Sequence, residues 1–274
     1  MQNKNYDIKL LALDLDGTLT NSKKEISAGN HAALDQARAR GTALVLASGR
    51  PQLGIRRLAA ELQFQEKGGL ILACNGGDII DCKNGKTVFH QGIAMELVPK
   101  ICEAGRELGL HLVNYDETHI YCERPDGEYV QRESFCCGTE ILKAERLEDV
   151  IKEAPPKFIA ADDPELLQKA LPVLEERFGA WLNLGFSERY FMEITPKGVD
   201  KAYGLSRIAD YLGIARENVM AMGDGFNDIS MLQYAGLSVA MGNAFDEVKA
   251  AAMEVTATND EDGVARAVEE YILR

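Results

Sequence analysis

The chain has 274 residues, of which 46% are hydrophobic, and its formal net charge is −13. Such a chain can build one large domain or two moderate ones around its own core. The excess of acidic residues argues against nucleic acid as a partner, because that binding uses many Lys and Arg contacts to phosphate. A small anionic substrate remains compatible with a local cluster of positive charge.

The sequence has no apolar run of about 18 residues that could cross a bilayer, and its first seven residues lack the pattern of a signal peptide. Its six cysteines form no Cys-x-x-Cys pair, so we expect reduced thiols that pack in the core. The sequence therefore predicts a cytoplasmic protein with no membrane partner.

Apolar runs and helical periodicities alternate at the N-terminal end. They predict strands over 8–13, 42–47 and 70–74, a helix over 27–40 and a second helix from residue 51. Continuous aliphatic runs are typical of parallel strands that helices cover on both faces. The pattern returns near the C-terminus, with helices over 201–212, 228–235, 244–252 and 262–273 and strands over 219–222, 238–240 and 255–257. Both ends therefore predict one α/β core, a Rossmann-like, doubly wound parallel sheet.

The alternation of single strands and helices changes in the middle of the chain. Strand-like pairs over 111–115 with 119–123 and 181–186 with 189–194 alternate with helices over 95–108 and 164–178. This pattern predicts a separate α+β domain, residues 86–188, inserted into a discontinuous core of residues 1–85 and 189–274. Gly85 and Gly185 lie near the two junctions and are candidate hinges.

Two aspartates follow the first predicted strand. If the chain stays extended, Asp14 and Asp16 point to the same side and repel each other. A bound cation, acid/base chemistry or a turn that separates the side chains would each explain the pair. Asp-Gly is itself a common turn dipeptide.

Ligands bind outside the carboxyl ends of the strands in an open parallel sheet, so polar residues at the other strand ends are candidates too. Ser48 and Gly49 follow the second strand. Ser48 could be the N-cap of the next helix, whose free backbone N–H groups would bind a phosphate. Alternatively, Ser48 could cap the helix without binding any ligand. Arg50, Asn75 and Gly76 are second-rank candidates for contact with the phosphate or with the inserted domain. Asp224 follows the strand at 219, and with Asp14 and Asp16 it would form an oxygen-rich pocket that suits Mg²⁺.

The stretch GDGFND (223–228) begins like a dinucleotide fingerprint but lacks its third glycine. Its first aspartate, Asp224, would also meet a pyrophosphate with negative charge, so a nucleotide fold is disfavoured. Lys197 and Lys201 flank a glycine further upstream and could be solvated surface residues. Lys201, however, opens a helix, where a positive charge opposes the helix dipole.

Four motifs together resemble those of the haloacid dehalogenase-like (HAD) phosphohydrolases: DLDGTLT (14–20), LASGR (46–50), the lysine in KGVDKAYGL (197–205) and GDGFND. Their order and spacing match, and the large insertion is similar to the α/β cap of the Cof-type, IIB subgroup. The chain departs from the family in having Ser48 where threonine is commoner, which keeps the hydroxyl.

The resemblance implies a role for each motif residue. Asp14 would be the nucleophile that forms an aspartyl-phosphate, and Asp16 would be the general acid and base. Mg²⁺ would be held by Asp14, Asp224 and the backbone carbonyl of Asp16. The remaining implied roles are phosphate binding by Ser48, Gly49 and Asn227, charge neutralisation by Lys201 rather than Lys197, and an accessory role for Asp228.

The expected function is a Mg²⁺-dependent phosphatase that acts on a small phosphorylated metabolite, with sugar phosphates as the leading class. A phosphomutase with a similar cap and a non-catalytic, metabolite-binding regulator are the alternatives. A regulator would need neither Asp14 nor Asp16, and a mutase would require a bisphosphate activator. The identity of the substrate does not follow from the sequence.

Overall fold

The structure is a computed structural model that describes residues 6–274. The N-terminal segment 1–5, which belongs to the stretch that lacks a signal-peptide pattern, lies outside the described residues. The strands, in chain order, are β1 (Leu10–Leu13), β2 (Ala43–Ala47), β3 (Leu70–Ala73), β4 (Asp78–Asp81), β5 (Lys86–His90), β6 (Leu112–Tyr115), β7 (Ile120–Cys122), β8 (Ile141–Lys143), β9 (Phe158–Ala161), β10 (Leu182–Glu188), β11 (Phe191–Pro196), β12 (Val219–Gly223), β13 (Leu237–Ala240) and β14 (Glu254–Val255).

The helices, in the same order, are α1 (Ala28–Ala39), α2 (Gln52–Glu61), α3 (Phe64–Lys67), α4 (Val98–Glu107), α5 (Glu128–Cys137), α6 (Leu147–Val150), α7 (Pro164–Phe178), α8 (Lys201–Leu212), α9 (Ile229–Tyr234), α10 (Asp246–Ala251) and α11 (Gly263–Tyr271). Among residues 6–274, none of these helices is long and apolar enough to cross a membrane. The cytoplasmic location stays a prediction.

The chain divides into two units. The first comprises the residues up to Ser48, Arg56–Phe89 and Asp200–Arg274, and the second comprises Gly49–Ile55 and His90–Val199. The chain therefore passes from one unit to the other four times, where the insertion of a single segment predicts two crossings.

The first unit is built on an eight-stranded sheet in the order β14-β13-β12-β1-β2-β3-β4-β5. The strands from β14 to β3 are parallel, as predicted. Strand β1 shows why: Leu10 and Ala12 pack on one side with Leu205 and Ile208 of α8, and Leu11, which points to the other side, is also fully buried. A strand covered on both faces needs an uninterrupted apolar run, and the predicted α/β class is confirmed.

The far edge of this sheet departs from the prediction. Strand β4 runs antiparallel to β3, and β5 lies beyond it, so the sheet is mixed rather than wholly parallel. Both strands fall in the stretch DIIDCKNGKTVFH (78–90), whose many polar residues carry no continuous apolar signal. Gly85 lies in the turn between β4 and β5, with φ +66°, and so sits within the sheet and not at a crossing.

The second unit contains a six-stranded sheet in the order β10-β11-β9-β6-β7-β8. Its pairings are antiparallel except for the parallel pair of β7 and β8. One face of the sheet packs on α4, α6 and α7, and the other packs on Val130 of α5. This is the α+β composition that the sequence predicts for the middle of the chain.

The bounds of the second unit differ from the predicted 86–188. Strand β11 pairs with β10, as predicted for 181–186 with 189–194, and it also pairs with β9. It therefore lies in the second sheet, although the predicted boundary placed residues from 189 onward in the core. A strand paired on both sides belongs to that sheet, so the last crossing falls after Val199. Gly185 lies inside β10 and is not at a crossing either.

Candidate active site

The first unit brings four strand ends to one edge of its sheet. Because β12, β1, β2 and β3 are consecutive parallel neighbours, the residues that follow them emerge side by side. Those residues are Asp14 after β1, Ser48 after β2, Asn75 after β3 and Asp224 after β12. The geometry therefore places the predicted candidates of this unit at the edge where open parallel sheets bind ligands.

A cluster of three carboxylates forms the centre of the site. One oxygen from each of Asp14, Asp224 and Asp228 lies within 4.8 Å of the others. The Lys201 ammonium donates to Asp14 Oδ1 at 2.6 Å and to Asp228 Oδ1 at 2.5 Å. Asp228 was predicted to be accessory only, whereas the structure places it in the cluster and in direct contact with the lysine.

Local structure fixes this lysine and Asp228. Lys201 is the first residue of α8, whose N-cap Asp200 accepts from the Tyr203 N–H at 2.8 Å. Its side chain is wholly buried, which is unusual for lysine and is compensated here by two carboxylates. Asp228 Oδ2 accepts from the backbone N–H groups of Asp224 and Gly225 at 3.0 and 2.9 Å.

Two polar residues that were not among the candidates hold Asp224. Thr18 donates its hydroxyl to Asp224 Oδ1 at 2.8 Å, and Asn243 reaches Asp224 Oδ2 at 3.5 Å and the Gly17 carbonyl at 2.8 Å. Asn243 follows β13, the parallel neighbour of β12, so the same strand-end rule would have found it. Thr18 lies within the DLDGTLT motif but carried no assigned role.

Asp16 does not join the carboxylate cluster. The strand ends at Leu13 and the chain turns directly afterwards, so the extended backbone on which two facing carboxylates were expected does not continue to Asp16. Asp16 Oδ1 instead pairs with the exposed Lys24 ammonium at 2.8 Å.

Gly17 makes this turn. Its φ is +82°, a backbone conformation that favours glycine, and a Cβ atom there would collide with the Asp224 carboxylate. Glycine at this position therefore allows both the turn after Asp14 and the close approach of Asp224.

Ser48 is buried, and its backbone forms hydrogen bonds with β3 and with the residues that follow it. Its N–H donates to the Leu72 carbonyl at 2.9 Å, and its carbonyl accepts from the Asn75 N–H at 3.0 Å. The prediction that Ser48 caps the next helix is wrong, because α2 begins only at Gln52. Asn227 Nδ2 donates to Asn75 Oδ1 at 3.2 Å, which links two of the predicted residues.

Gly49 and Arg50 belong to the second unit, where Arg50 Nη1 contacts the Gly54 carbonyl at 3.3 Å. Lys197 also lies in that unit, where its ammonium donates to the Gly179 carbonyl at 2.7 Å. Lys201 is thus the lysine that contacts the cluster.

Burial and mutual repulsion shape the electrostatics of the cluster. Burial raises the pKa of the Asp14 carboxyl to about 8, the Asp228 carboxylate adds to the rise, and Lys201 opposes it. Burial also raises the pKa of Asp224 to about 6, against the effect of the Thr18 hydrogen bond. Burial disfavours the Lys201 ammonium, but Asp14 and Asp228 together raise its pKa above the usual value. A cation bound to these oxygens would favour their ionised forms.

The chain matches known proteins over nearly its full length. Residues 11–268 match the family model of haloacid dehalogenase-like hydrolases. A haloacid dehalogenase-like hydrolase from Bacteroides thetaiotaomicron superposes with a TM-score of 0.92 at 44% identity, over 96% of this chain and 98% of that one.

Two further relatives carry a described activity. A structure described as a HAD subclass IIB sugar phosphatase superposes with a TM-score of 0.80 at 28% identity, over 96% of this chain and 98% of that one. The 5-amino-6-(5-phospho-D-ribitylamino)uracil phosphatase YcsE of Bacillus subtilis is 31% identical over 274 residues, which cover all of this chain and 99% of the relative. The chain therefore belongs to the haloacid dehalogenase-like hydrolases, as its four motifs predict, and is an enzyme of their phosphatase class.

Proposed function

We propose that this enzyme is a Mg²⁺-dependent phosphatase that hydrolyses a small phosphorylated metabolite, with sugar phosphates as the leading class, through an aspartyl-phosphate on Asp14. The observation that carries the proposal is the contact of one buried lysine with Asp14 and Asp228 beside Asp224. Phosphoryl transfer depends mainly on positioning and on neutralisation of the phosphoryl oxygens. An acidic cluster with a built-in ammonium supplies both once a cation is bound.

Asp14 is the residue best placed to be the nucleophile. One of its carboxylate oxygens attacks phosphorus, the bond between phosphorus and the leaving oxygen breaks, and an acyl phosphate forms. Lys201, which contacts Asp14 Oδ1, holds the carboxylate in one orientation and balances its charge. Water then attacks the phosphorus of the intermediate, which releases phosphate and restores Asp14.

Asp16 is proposed to move the protons. In the first step it gives a proton to the leaving oxygen, and in the second it accepts one from the attacking water. Its side chain lies outside the carboxylate cluster and is partly exposed, so it can exchange protons without competing for the cation. The exposed Lys24 ammonium lies 2.8 Å from its Oδ1.

The oxygen-rich donor set fits Mg²⁺, a hard cation that is held by few carboxylates together with water and substrate phosphate. Asp14 and Asp224 would hold it, with the Asp16 carbonyl as a third ligand, and Asp228 lies close enough to act directly or through water. Bound there, the cation would neutralise charge on the transferred phosphoryl group. Ser48, Gly49 and Asn227 remain the proposed phosphate-binding residues.

The second unit is proposed to set the substrate preference, because the motif residues of the first unit bind only what all phosphate esters share. A sugar phosphate or another small phosphorylated metabolite agrees with the activities described for the relatives, and neither nucleic acid nor membrane is a proposed partner. Intact Asp14 and Asp16 favour a catalyst over a regulator.

The test is a panel of phosphorylated metabolites, with released phosphate measured in the presence of Mg²⁺, of excess chelator and of Ca²⁺. We expect turnover of at least one sugar phosphate with Mg²⁺, none in chelator and little with Ca²⁺, which favours more ligands and longer bonds. Asp14→Asn should abolish turnover, and Asp16→Asn should lower it on the order of a hundred- to ten-thousand-fold.

Full activity in chelator would contradict the role of the metal, and substantial turnover by Asp14→Asn would remove Asp14 as nucleophile. A requirement for a bisphosphate activator would instead identify a phosphomutase.

A further inference from the structure

The second unit contains a buried lysine that the proposed function does not use. Lys157 is 1% exposed, directly precedes β9, and donates its ammonium to the Gly49 carbonyl at 2.8 Å. It also pairs with Glu193 Oε1 at 3.0 Å. Gly49 directly follows Ser48 in the LASGR motif, so this ammonium contacts the segment to which phosphate binding is assigned.

We propose that Lys157 is a positioning residue for the phosphate-binding loop and acts through the Gly49 carbonyl. The inference rests on the proposed function, because it assumes that Ser48 and Gly49 bind the phosphoryl group.

The sheet of the second unit holds the lysine rigidly. Buried Asn114 on β6 donates its side-chain amide to the Lys157 carbonyl at 2.9 Å. Glu193 lies on β11, which pairs with β9 so that Glu193 is opposite Ile159 and Ile194 is opposite Phe158. The backbone of the lysine and its counter-charge are therefore both placed by hydrogen-bonded strands and not by mobile loops.

A fixed donor at Gly49 has a direct effect on the loop. The peptide unit is planar, so holding the Gly49 carbonyl also sets the direction of the Arg50 N–H in the same plane. Glycine has the most backbone freedom of any residue, and a charge-assisted hydrogen bond in a buried site is among the stronger restraints available. Lys157 would therefore limit the conformations open to the chain where it leaves Ser48.

The free-energy cost of burying the Lys157 ammonium indicates that its charge has a specific role. Removing such a charge from water is expensive and is only offset by good partners, whereas an apolar side chain of similar length would fill the space without that cost. An apolar side chain, however, could not donate to Gly49. A residue that served packing alone would not need the charge.

The test uses Lys157→Met, the double variant Lys157→Met/Glu193→Met, and Lys197→Met as a matched control that removes another lysine–carbonyl contact of the same unit. The assays are kcat and KM for p-nitrophenyl phosphate and for each sugar phosphate that the wild type hydrolyses, competitive inhibition by inorganic phosphate, and Tm.

For Lys157→Met we expect kcat/KM to fall roughly ten- to a hundred-fold, which is the scale of loss from a small misplacement in an active site. The factor should be similar for every ester, because the phosphoryl group is common to all, and inorganic phosphate should inhibit more weakly. The double variant should regain Tm, since it also removes the carboxylate whose counter-charge was lost, but should keep the loss of activity. Lys197→Met should behave like the wild type.

Recovery of activity in the double variant would overturn the proposal and reduce Lys157 to a partner of Glu193. A change in the ranking of substrates would also overturn it, because the lysine would then contact the leaving group. If the wild type hydrolyses none of the esters, the proposed function fails by itself, and calorimetric titration with inorganic phosphate still tests the inference: equal affinity of the wild type and Lys157→Met would overturn it.

Discussion

The raised pKa of Asp14 leads us to predict that the stability of the metal-free enzyme depends on pH. Its pKa is raised from 3.8 to about 8, first by burial and then by Asp228. Between these values the native state holds a proton that the unfolded state has released, so the free energy of unfolding of the metal-free enzyme falls as pH rises. The variant Asp14→Asn has no carboxyl that titrates at this position, and it retains the ion pair between Lys201 and Asp228.

The size of the effect follows from the proton difference. One proton changes the free energy of unfolding by about 1.4 kcal/mol per pH unit. Between about pH 5 and pH 7, both inside the window, the wild type should therefore lose up to about 2.7 kcal/mol relative to Asp14→Asn. The absolute stability of the variant does not enter, because only the pH dependence of the difference is compared.

The assay is urea unfolding of both proteins in chelator at several pH values, repeated with Mg²⁺. With Mg²⁺ the loss should disappear, because a cation favours the ionised carboxylate in the native state. A difference between the two proteins that stays constant from pH 5 to pH 7 in chelator would refute this account of Asp14.

Lys201→Met should abolish turnover and lower the free energy of unfolding by about 3–5 kcal/mol near neutral pH, as expected when a buried ion pair loses one partner; urea unfolding and phosphate release measure both. Glu148→Gln should destabilise the enzyme by about 1–2 kcal/mol at pH 7, because Arg106 lowers the pKa of Glu148 to about 2. That stability is present above the unfolded pKa of 4.5 and is lost as pH falls toward 2, so the two melting temperatures should converge in acid. Gly17→Ala should cost about 1–3 kcal/mol and weaken Mg²⁺ binding measured by calorimetry, because the new Cβ meets Asp224 and φ is positive.

The core of the fold could be predicted from the sequence because its physical causes are local. Continuous apolar runs such as Leu10–Leu13 can only be satisfied by helices on both faces, and Ser27 with Asn30 gives α1 a clear beginning: the Ser27 hydroxyl accepts from the Asn30 N–H at 3.1 Å. The strand-end rule then predicts that Asp14 and Asp224 lie close together.

The features of the fold and of the site that the sequence does not predict depend on contacts between distant residues. The place of β11 is decided by pairing with β9, which lies about 30 residues earlier in the chain and has no local signature. The turn after Asp14 was one of the sequence-based alternatives, since Asp-Gly is a common turn dipeptide, but the close approach of Asp224 to Gly17 joins distant parts of the chain and has no local signal. Asp228 was undervalued for the same reason, since its contact with Lys201 joins the residue before α9 to the first residue of α8.

The central claim is that a phosphoryl group is transferred to Asp14, and trapping that intermediate tests it most directly. Asp16→Asn lacks the general base for the second step, and p-nitrophenyl phosphate, whose leaving group needs little protonation, avoids the need for the general acid in the first step. The acyl phosphate should therefore accumulate when this ester is mixed with the variant and quenched in acid. The account predicts that the peptide containing Asp14 gains the mass of one phosphoryl group, and that Asp14→Asn/Asp16→Asn gains none. A phosphoryl group found on any other residue, or an equal gain in the double variant, would contradict it.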